Sequence, residues 1–161
     1  MQRILRIFQI AFLLACWAPA ASTANEAWQV VVEASEDGNS VGCVLKSNPV
    51  NGLAVHYVQR FAVVASEMLD EAPHKTSVKV DRAPVYKGQE RAVSPNIIYI
   101  TNDTPDIDEE TAKLLFLLRR GNVLKVEAAS ILAGDVTANI SLAGFSAAYK
   151  QYLDCRKKHN L

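Results

Sequence analysis

Apolar and polar residues alternate over several short segments of this chain, and such alternation predicts β-strands. Residues 28–34 (WQVVVEA) are rich in β-branched side chains, and polar turn residues separate them from a second extended segment at 40–46. Further alternation at 76–80 and at 96–101 predicts two more strands. The first two segments are therefore expected to form a hairpin that carries Cys43.

The segment 53–69 has a pattern with two interpretations. Apolar residues recur at odd-numbered positions, namely Leu53, Val55, Tyr57, Phe61 and Val63. This is the period of a strand with one buried face, and Gln59 interrupts it in a way that indicates a bulge. A helix is the alternative because the segment lacks Gly and Pro, but its β-branched content favours strands.

A helix is predicted to begin in the segment 104–110. A threonine there offers a capping side chain, and the carboxylates that follow it complement the free N–H groups and the dipole at a helix start. Arg120 and Gly121 are typical of the end of such a helix. The consecutive apolar residues at 114–118 indicate that it is largely covered, and a buried strand that turns at 120–122 is the alternative.

The last third of the chain predicts a hairpin followed by a closing helix. Apolar segments at 123–132 and 136–140 flank the turn sequence at 134–135, and Ser141 can then cap a helix. The residues at helical spacing after it are Leu142, Phe145, Tyr149, Tyr152 and Cys155. Together the elements predict an α+β fold, a mostly antiparallel β-sandwich or barrel-like sheet with one internal helix and one C-terminal helix.

The N-terminal segment has the three parts of a secretory signal. Basic residues precede an apolar run at 7–17, which is about half of the roughly 20 residues that a membrane-spanning helix needs, and small residues follow at 18–24. We therefore expect that residues 1–24 are a cleaved signal peptide. Residues 25–161 are then a single β-rich domain, periplasmic or secreted, without a transmembrane helix.

The three cysteines divide between the signal and the domain. Cys16 is expected to leave with the signal, and a lipid anchor at Cys16 is the alternative because the preceding residues loosely match a lipoprotein pattern. Cys43 and Cys155 remain, and an even number of cysteines in an oxidising compartment predicts a disulfide. A reactive Cys43 thiol is the alternative, but that residue lies in an apolar segment rather than an electropositive one.

Charge argues against a nucleic-acid partner. The whole sequence carries 17 basic and 17 acidic residues, and removal of Arg3 and Arg6 with the signal leaves an excess of acidic residues. Binding to phosphates needs a concentrated basic stripe, and the sequence has none.

No segment carries a catalytic or metal-binding motif, so we predict no catalytic residue, no metal and no cofactor. His56, His74 and His159 are too far apart for metal-type spacing, and the segment 144–148 (GFSAA) is not a nucleophile elbow. The acidic residues of the segment 103–110 are Asp103, Asp106, Asp108, Glu109 and Glu110. Their position at a helix start explains them, and a calcium ion is the alternative.

The polar segment 81–94 is the predicted partner contact. We expect it to be a long loop or a ragged edge hairpin, and it carries Arg82, Tyr86, Lys87 and Arg91. Tyr86 is expected to be exposed there. Aromatic and basic side chains on loops are frequent at protein interfaces, so these four residues are the candidates for binding a partner.

Two parts of the chain resemble a known family. The segment Arg120–Val126 (RGNVLKV), a hairpin, and Ile140–Tyr149 (ISLAGFSAAY) precede the last cysteine, and the first strand begins with Trp28. This arrangement resembles the small periplasmic proteobacterial proteins related to the invasion-associated locus B family. The resemblance implies a β-rich, non-catalytic envelope protein linked to host interaction.

The sequence thus favours a secreted or periplasmic interaction protein that is not an enzyme and that binds a protein partner in the envelope or host. One alternative is an inhibitor of a hydrolase, of protease or lysozyme type, which presents a rigid loop to its target. A small hydrolase with an unrecognised site is the other alternative.

Overall fold

Two antiparallel sheets and two helices make up the described part of the computed structural model, which comprises residues 27–34, 41–65, 75–88, 96–100, 107–130 and 134–161. The elements are β1 (Trp28–Ala34), β2 (Val41–Ser47), β3 (Leu53–Tyr57), β4 (Phe61–Ala65), β5 (Lys75–Val80), β6 (Tyr86–Lys87), β7 (Ile97–Ile100), α1 (Ile107–Leu118), β8 (Val123–Ser130), β9 (Gly134–Ser141) and α2 (Phe145–His159). The first sheet has the order β1-β2-β3-β4-β7 and the second has the order β6-β5-β8-β9. The predicted α+β class is confirmed. The predicted signal peptide, with Cys16, lies outside the described residues.

The first sheet contains the predicted hairpin and one correction. β1 pairs antiparallel with β2 along its whole length, which places Cys43 opposite Val32. The bulge predicted at Gln59 is wrong, because residues 58–60 connect two separate strands and Tyr57 pairs with Phe61. A three-residue connection keeps the apolar residues on one parity, so a turn gives the same pattern as a continuous strand.

The second sheet contains the other predicted hairpin, but residues 134–135 belong to a strand in it. β9 begins at Gly134, which pairs with Ser130, so the turn predicted at 134–135 is wrong. The cap predicted at Ser141 is also wrong. Ser141 ends β9, its Oγ accepts a hydrogen bond from the N–H of Ala143 (3.2 Å), and the residue before α2 is Gly144, with φ of 83°. Glycine adopts this left-handed conformation at no steric cost, which explains how the chain turns into the helix.

Both sheets and both helices contribute to a single hydrophobic cluster. Its largest fully buried side chains include Trp28, Phe61, Phe145 and Tyr152. The rings of Trp28 and Phe145 meet edge to face with centroids 4.8 Å apart, an arrangement that adds to the burial of apolar area. Helix α2 therefore packs against the first sheet through aromatic side chains.

The internal helix exposes part of an apolar segment that was expected to be covered. Leu114 and Leu118 are buried in the core, but Phe116 between them is 53% exposed. Residues four apart lie on the same face of a helix, whereas a residue midway between them points away. The expectation of a largely covered 114–118 segment is wrong at Phe116.

The outer edge of β9 meets side chains from the first sheet. Trp28 donates a hydrogen bond from Nε1 to the carbonyl of Ser141 (2.8 Å), and Asn51 donates from Nδ2 to the carbonyl of Thr137 (2.7 Å). Thr137 and Ser141 are four residues apart on the strand, so their carbonyls point to the same side. Neither described helix is long and apolar enough to cross a lipid bilayer.

Candidate interaction surface and ligand cleft

The predicted disulfide is present. The sulfur atoms of Cys43 and Cys155 are bonded; the two Cα atoms are 6.1 Å apart, and the two residues are 112 positions apart along the chain. Cys43 is only 2% exposed and lies in the apolar cluster, while Cys155 is half-buried on α2. The bond fastens the C-terminal helix to the first hairpin and occupies both cysteines of the predicted domain.

The loop predicted to contact a partner begins as a braced hairpin. The carboxylate of Asp81 accepts hydrogen bonds from the N–H groups of Asn122 and Val123, both at 3.0 Å. β6 then pairs with β5, so that Tyr86 lies opposite Val78. The edge-hairpin form of the prediction is therefore present as far as residue 88.

The residues predicted to contact a partner differ in their exposure to solvent. Arg82 and Lys87 are exposed, and Arg91 lies outside the described residues. Tyr86 is half-buried against the core, so the expectation that it is exposed is wrong. Burial raises the pKa of the Tyr86 phenol, with the negative charge of Glu110 acting in the same direction, so its hydroxyl remains protonated at neutral pH.

Helix α1 and β6 together form a groove beside Phe116. Its volume is about 470 Å³. The residues that line it are Tyr86, Glu109, Ala112, Lys113, Phe116 and Leu117. A smaller hollow of about 240 Å³ adjoins the other side of Phe116 and is lined also by Arg119, Arg120 and Ser146. We call these nine residues together the Phe116 surface.

Charged side chains on the Phe116 surface are ordered by their neighbours. The guanidinium of Arg120 lies over the Phe116 ring, 4.2 Å from its centroid, and the guanidinium of Arg119 lies 5.9 Å from the centroid of Tyr149. Lys113 forms an ion pair with Glu109 (2.6 Å), and its hydrogen bond lowers the pKa of that carboxyl. The two arginines therefore lie on one side of an exposed aromatic ring, and Lys113 in the groove is already paired.

A second concave region, the His56 cleft, lies on the face of the first sheet that points away from the core. Its volume is about 450 Å³. The described residues that line it are Glu33, Val44, His56, Val58, Gln59, Arg60, Ala62, Val64, Ile97 and Tyr99. Burial lowers the pKa of His56, with a smaller contribution from Lys46, while Glu33 acts in the opposite direction. The imidazole is consequently neutral at neutral pH.

The titratable groups that the sequence singled out do not converge. His56 lines a strand face as expected, His159 lies on α2, and His74 lies outside the described residues, as do Asp103 and Asp106. Over the described ranges, no three His, Cys, Asp or Glu side chains are grouped so that they could hold a metal ion. The described lining of the His56 cleft contains no Ser, Thr or Cys that could act as a nucleophile beside His56.

The lowered pKa of His56 predicts a dependence of stability on pH. The unfolded chain binds a proton near the ordinary histidine pKa of 6.5, above the pKa of the folded protein. The contribution of neutral His56 to the free energy of unfolding is therefore complete above about pH 6.5. It is lost as the pH falls through the pKa that His56 has in the folded protein. Urea denaturation of the wild type and His56→Gln at about pH 7.5 and about pH 5 measures it. We expect the loss on acidification to be smaller in the variant, and equal losses would contradict the assignment.

No protein-family model matches the sequence, and no curated protein is significantly similar to it. Among solved structures, invasion associated protein B from Bartonella henselae is similar to this chain, with a TM-score of 0.55 and 19% sequence identity. The similarity covers 82% of this chain and 94% of that chain. At this identity it shows a shared fold, in agreement with the resemblance found in the sequence.

Proposed function

We propose that this chain is a non-catalytic interaction protein of the bacterial envelope, periplasmic or secreted, that binds a protein partner through the Phe116 surface. The observation that carries the proposal is the 53% exposure of Phe116 between two hollows. A disulfide is typical of proteins that fold in an oxidising compartment. The shared fold with an invasion-associated protein supports a role in contact with a host.

An exposed phenylalanine at this position has the features of an interface anchor. Aromatic and arginine side chains carry much of the binding energy at protein interfaces, and the surrounding residues exclude water. Arg120 already stacks on Phe116, so less side-chain entropy is lost when a partner covers the pair. The groove beside the ring is wide enough to accept an apolar side chain of the partner.

The charges define the partner's chemistry. Arg119 and Arg120 lie on one side of Phe116, while the Lys113–Glu109 pair on the other side is internally neutral. The complementary surface therefore presents an apolar side chain with carboxylates beside it.

Site-specific photo-crosslinking followed by affinity measurement tests the proposal. A photoreactive phenylalanine analogue replaces Phe116, and the covalently captured envelope or host protein is then purified. We expect Phe116→Ala to weaken its binding by about 2 kcal/mol, or roughly thirtyfold in Kd, which is the size of an interface hot spot.

Leu153 provides the matched control, because it is 45% exposed on α2 and belongs to neither hollow of the Phe116 surface. The analogue at Leu153 should capture nothing specific, and Leu153→Ala should leave the Kd unchanged. If Phe116→Ala keeps full affinity while its circular dichroism matches the wild type, the Phe116 surface is not the interface.

Inhibition of a hydrolase is a second candidate, and the bracing of Asp81 favours it. A side chain that holds two N–H groups at 3.0 Å fixes the start of the β5–β6 connection, and rigid loops lose little entropy when they enter a cleft. Assays of the purified protein against lysozymes and proteases test this candidate. Inhibition that Asp81→Ala weakens would favour it over the Phe116 surface.

A further inference from the structure

The outer face of the first sheet is apolar where a solvated face would be polar. Its side chains at Val44, Ala54 and Ala62 are at most 9% exposed, and Val64 and Ile97 are half-buried. An antiparallel sheet with one face in water normally alternates apolar residues inward and polar residues outward. The centre of this face therefore has the composition of a binding surface, and the His56 cleft lies over it.

The strand register gives the cleft the shape of a slot. His56 on β3 lies opposite Ala62 on β4, and Ala62 lies opposite Tyr99 on β7. The small side chain of Ala62 thus lies between two residues with rings, whose backbones are two strands apart, roughly 9.5 Å at the usual strand spacing. A flat group in van der Waals contact with both rings needs about 7–8 Å. The slot accepts one aromatic ring system.

Arg60 brings a positive charge to the end of the slot beside the β3–β4 connection. Arg60 lies in the connection just before β4, is exposed and lines the cleft. Lys46 lies opposite His56 across β2 and β3, while Glu33 is the carboxylate among the described lining residues. Lys46 is not part of the described lining, but its charge acts on His56 more strongly than the opposing charge of Glu33, and His56 itself is neutral at neutral pH. An anionic group is therefore attracted to the same end of the slot as Arg60.

We propose that the His56 cleft binds a small planar aromatic carboxylate, with its ring between His56 and Tyr99 and its carboxylate on Arg60. The apolar floor and the ring walls provide the contact for the aromatic group. The guanidinium of Arg60 provides two parallel N–H donors that match the two carboxylate oxygens. This site is separate from the Phe116 surface, so either assignment can fail without the other.

Isothermal titration calorimetry of the purified protein with 2-naphthoate tests the assignment. We expect saturable binding of 2-naphthoate. The neutral analogue 2-naphthamide is expected to bind at least about tenfold more weakly, because it lacks the charge-assisted hydrogen bonds. Decanoate, which carries the same carboxylate on a flexible chain, is also expected to bind more weakly.

Three variants locate the site. Arg60→Gln should weaken 2-naphthoate binding by about tenfold, and Ala62→Leu should abolish it by filling the floor of the slot. Lys75→Gln is the matched control, since Lys75 is an exposed cation on the outer face of the second sheet and should not affect binding. Arg60 is exposed, so its replacement should leave the fold intact even if Ala62→Leu unfolds the protein.

Several results would overturn the assignment. Absence of saturable 2-naphthoate binding would reject the site, and tighter binding of decanoate would reject a planar ligand. Equal affinity of the wild type and Arg60→Gln would reject the role of Arg60.

Discussion

Removal of the Cys43–Cys155 disulfide is expected to lower the free energy of unfolding by roughly 2–5 kcal/mol. The bond spans 112 positions, and a cross-link over so long a segment restricts the unfolded chain strongly. It also holds α2 against the first hairpin, where Cys43 is buried in the core. Urea denaturation of the wild type and of the Cys43→Ala/Cys155→Ala double variant measures the difference.

Reduction of the wild type provides the control for the alanine substitutions. A thiol reductant should lower the stability of the wild type towards that of the double variant, and it should leave the double variant unchanged. A difference of less than about 1 kcal/mol between the oxidised wild type and the double variant would mean that the bond is not a main source of stability.

Trp28→Ala is expected to lower the free energy of unfolding by about 3–5 kcal/mol. Trp28 is 1% exposed, packs edge to face on Phe145 and donates a hydrogen bond to the carbonyl of Ser141. Trp28→Phe keeps an aromatic ring but removes the indole donor, so its smaller loss measures the hydrogen bond together with the difference in ring size. Chemical denaturation of both variants gives the two values.

Val32→Ala is the matched control for Trp28, because Val32 lies on the same strand with the same parity but is 53% exposed. Its replacement should change the stability by no more than about 0.5 kcal/mol. A loss for Trp28→Ala as small as the loss for Val32→Ala would show that Trp28 does not anchor the contact between β1 and α2.

The sequence predicted the elements whose signal is local. Strand β1 was predicted with its observed bounds, because β-branched residues and a following turn mark a strand without reference to the rest of the chain. The disulfide was predicted because Cys43 and Cys155 are the two cysteines outside the predicted signal, so no knowledge of the fold was needed. Local sequence did not predict the structure at Gln59 or at Ser141. Gln59 lies in a turn rather than a bulge, and Ser141 ends a strand rather than capping a helix, because both depend on which strands pair.

The two candidate sites depend on contacts between distant segments. Phe116 lies in a continuous apolar segment, and only the helical spacing of Leu114 and Leu118 distinguishes the buried face from the exposed one. The slot between His56 and Tyr99 arises from the register of three strands, which composition does not specify. Tyr86 was expected to be exposed in a polar loop, and its half-buried position against the core depends on residues that are distant in the sequence.

The side chains that donate hydrogen bonds to the carbonyls of β9 affect how this protein behaves at high concentration. An outer strand with free backbone groups is a template on which a second molecule can add a strand, and such addition leads to aggregation. The indole of Trp28 and the amide of Asn51 already occupy two carbonyls on that side of β9. An incoming chain would have to displace both donors, one of which is buried in the core. The contact that joins the two sheets thus also protects the molecule against edge-to-edge self-association.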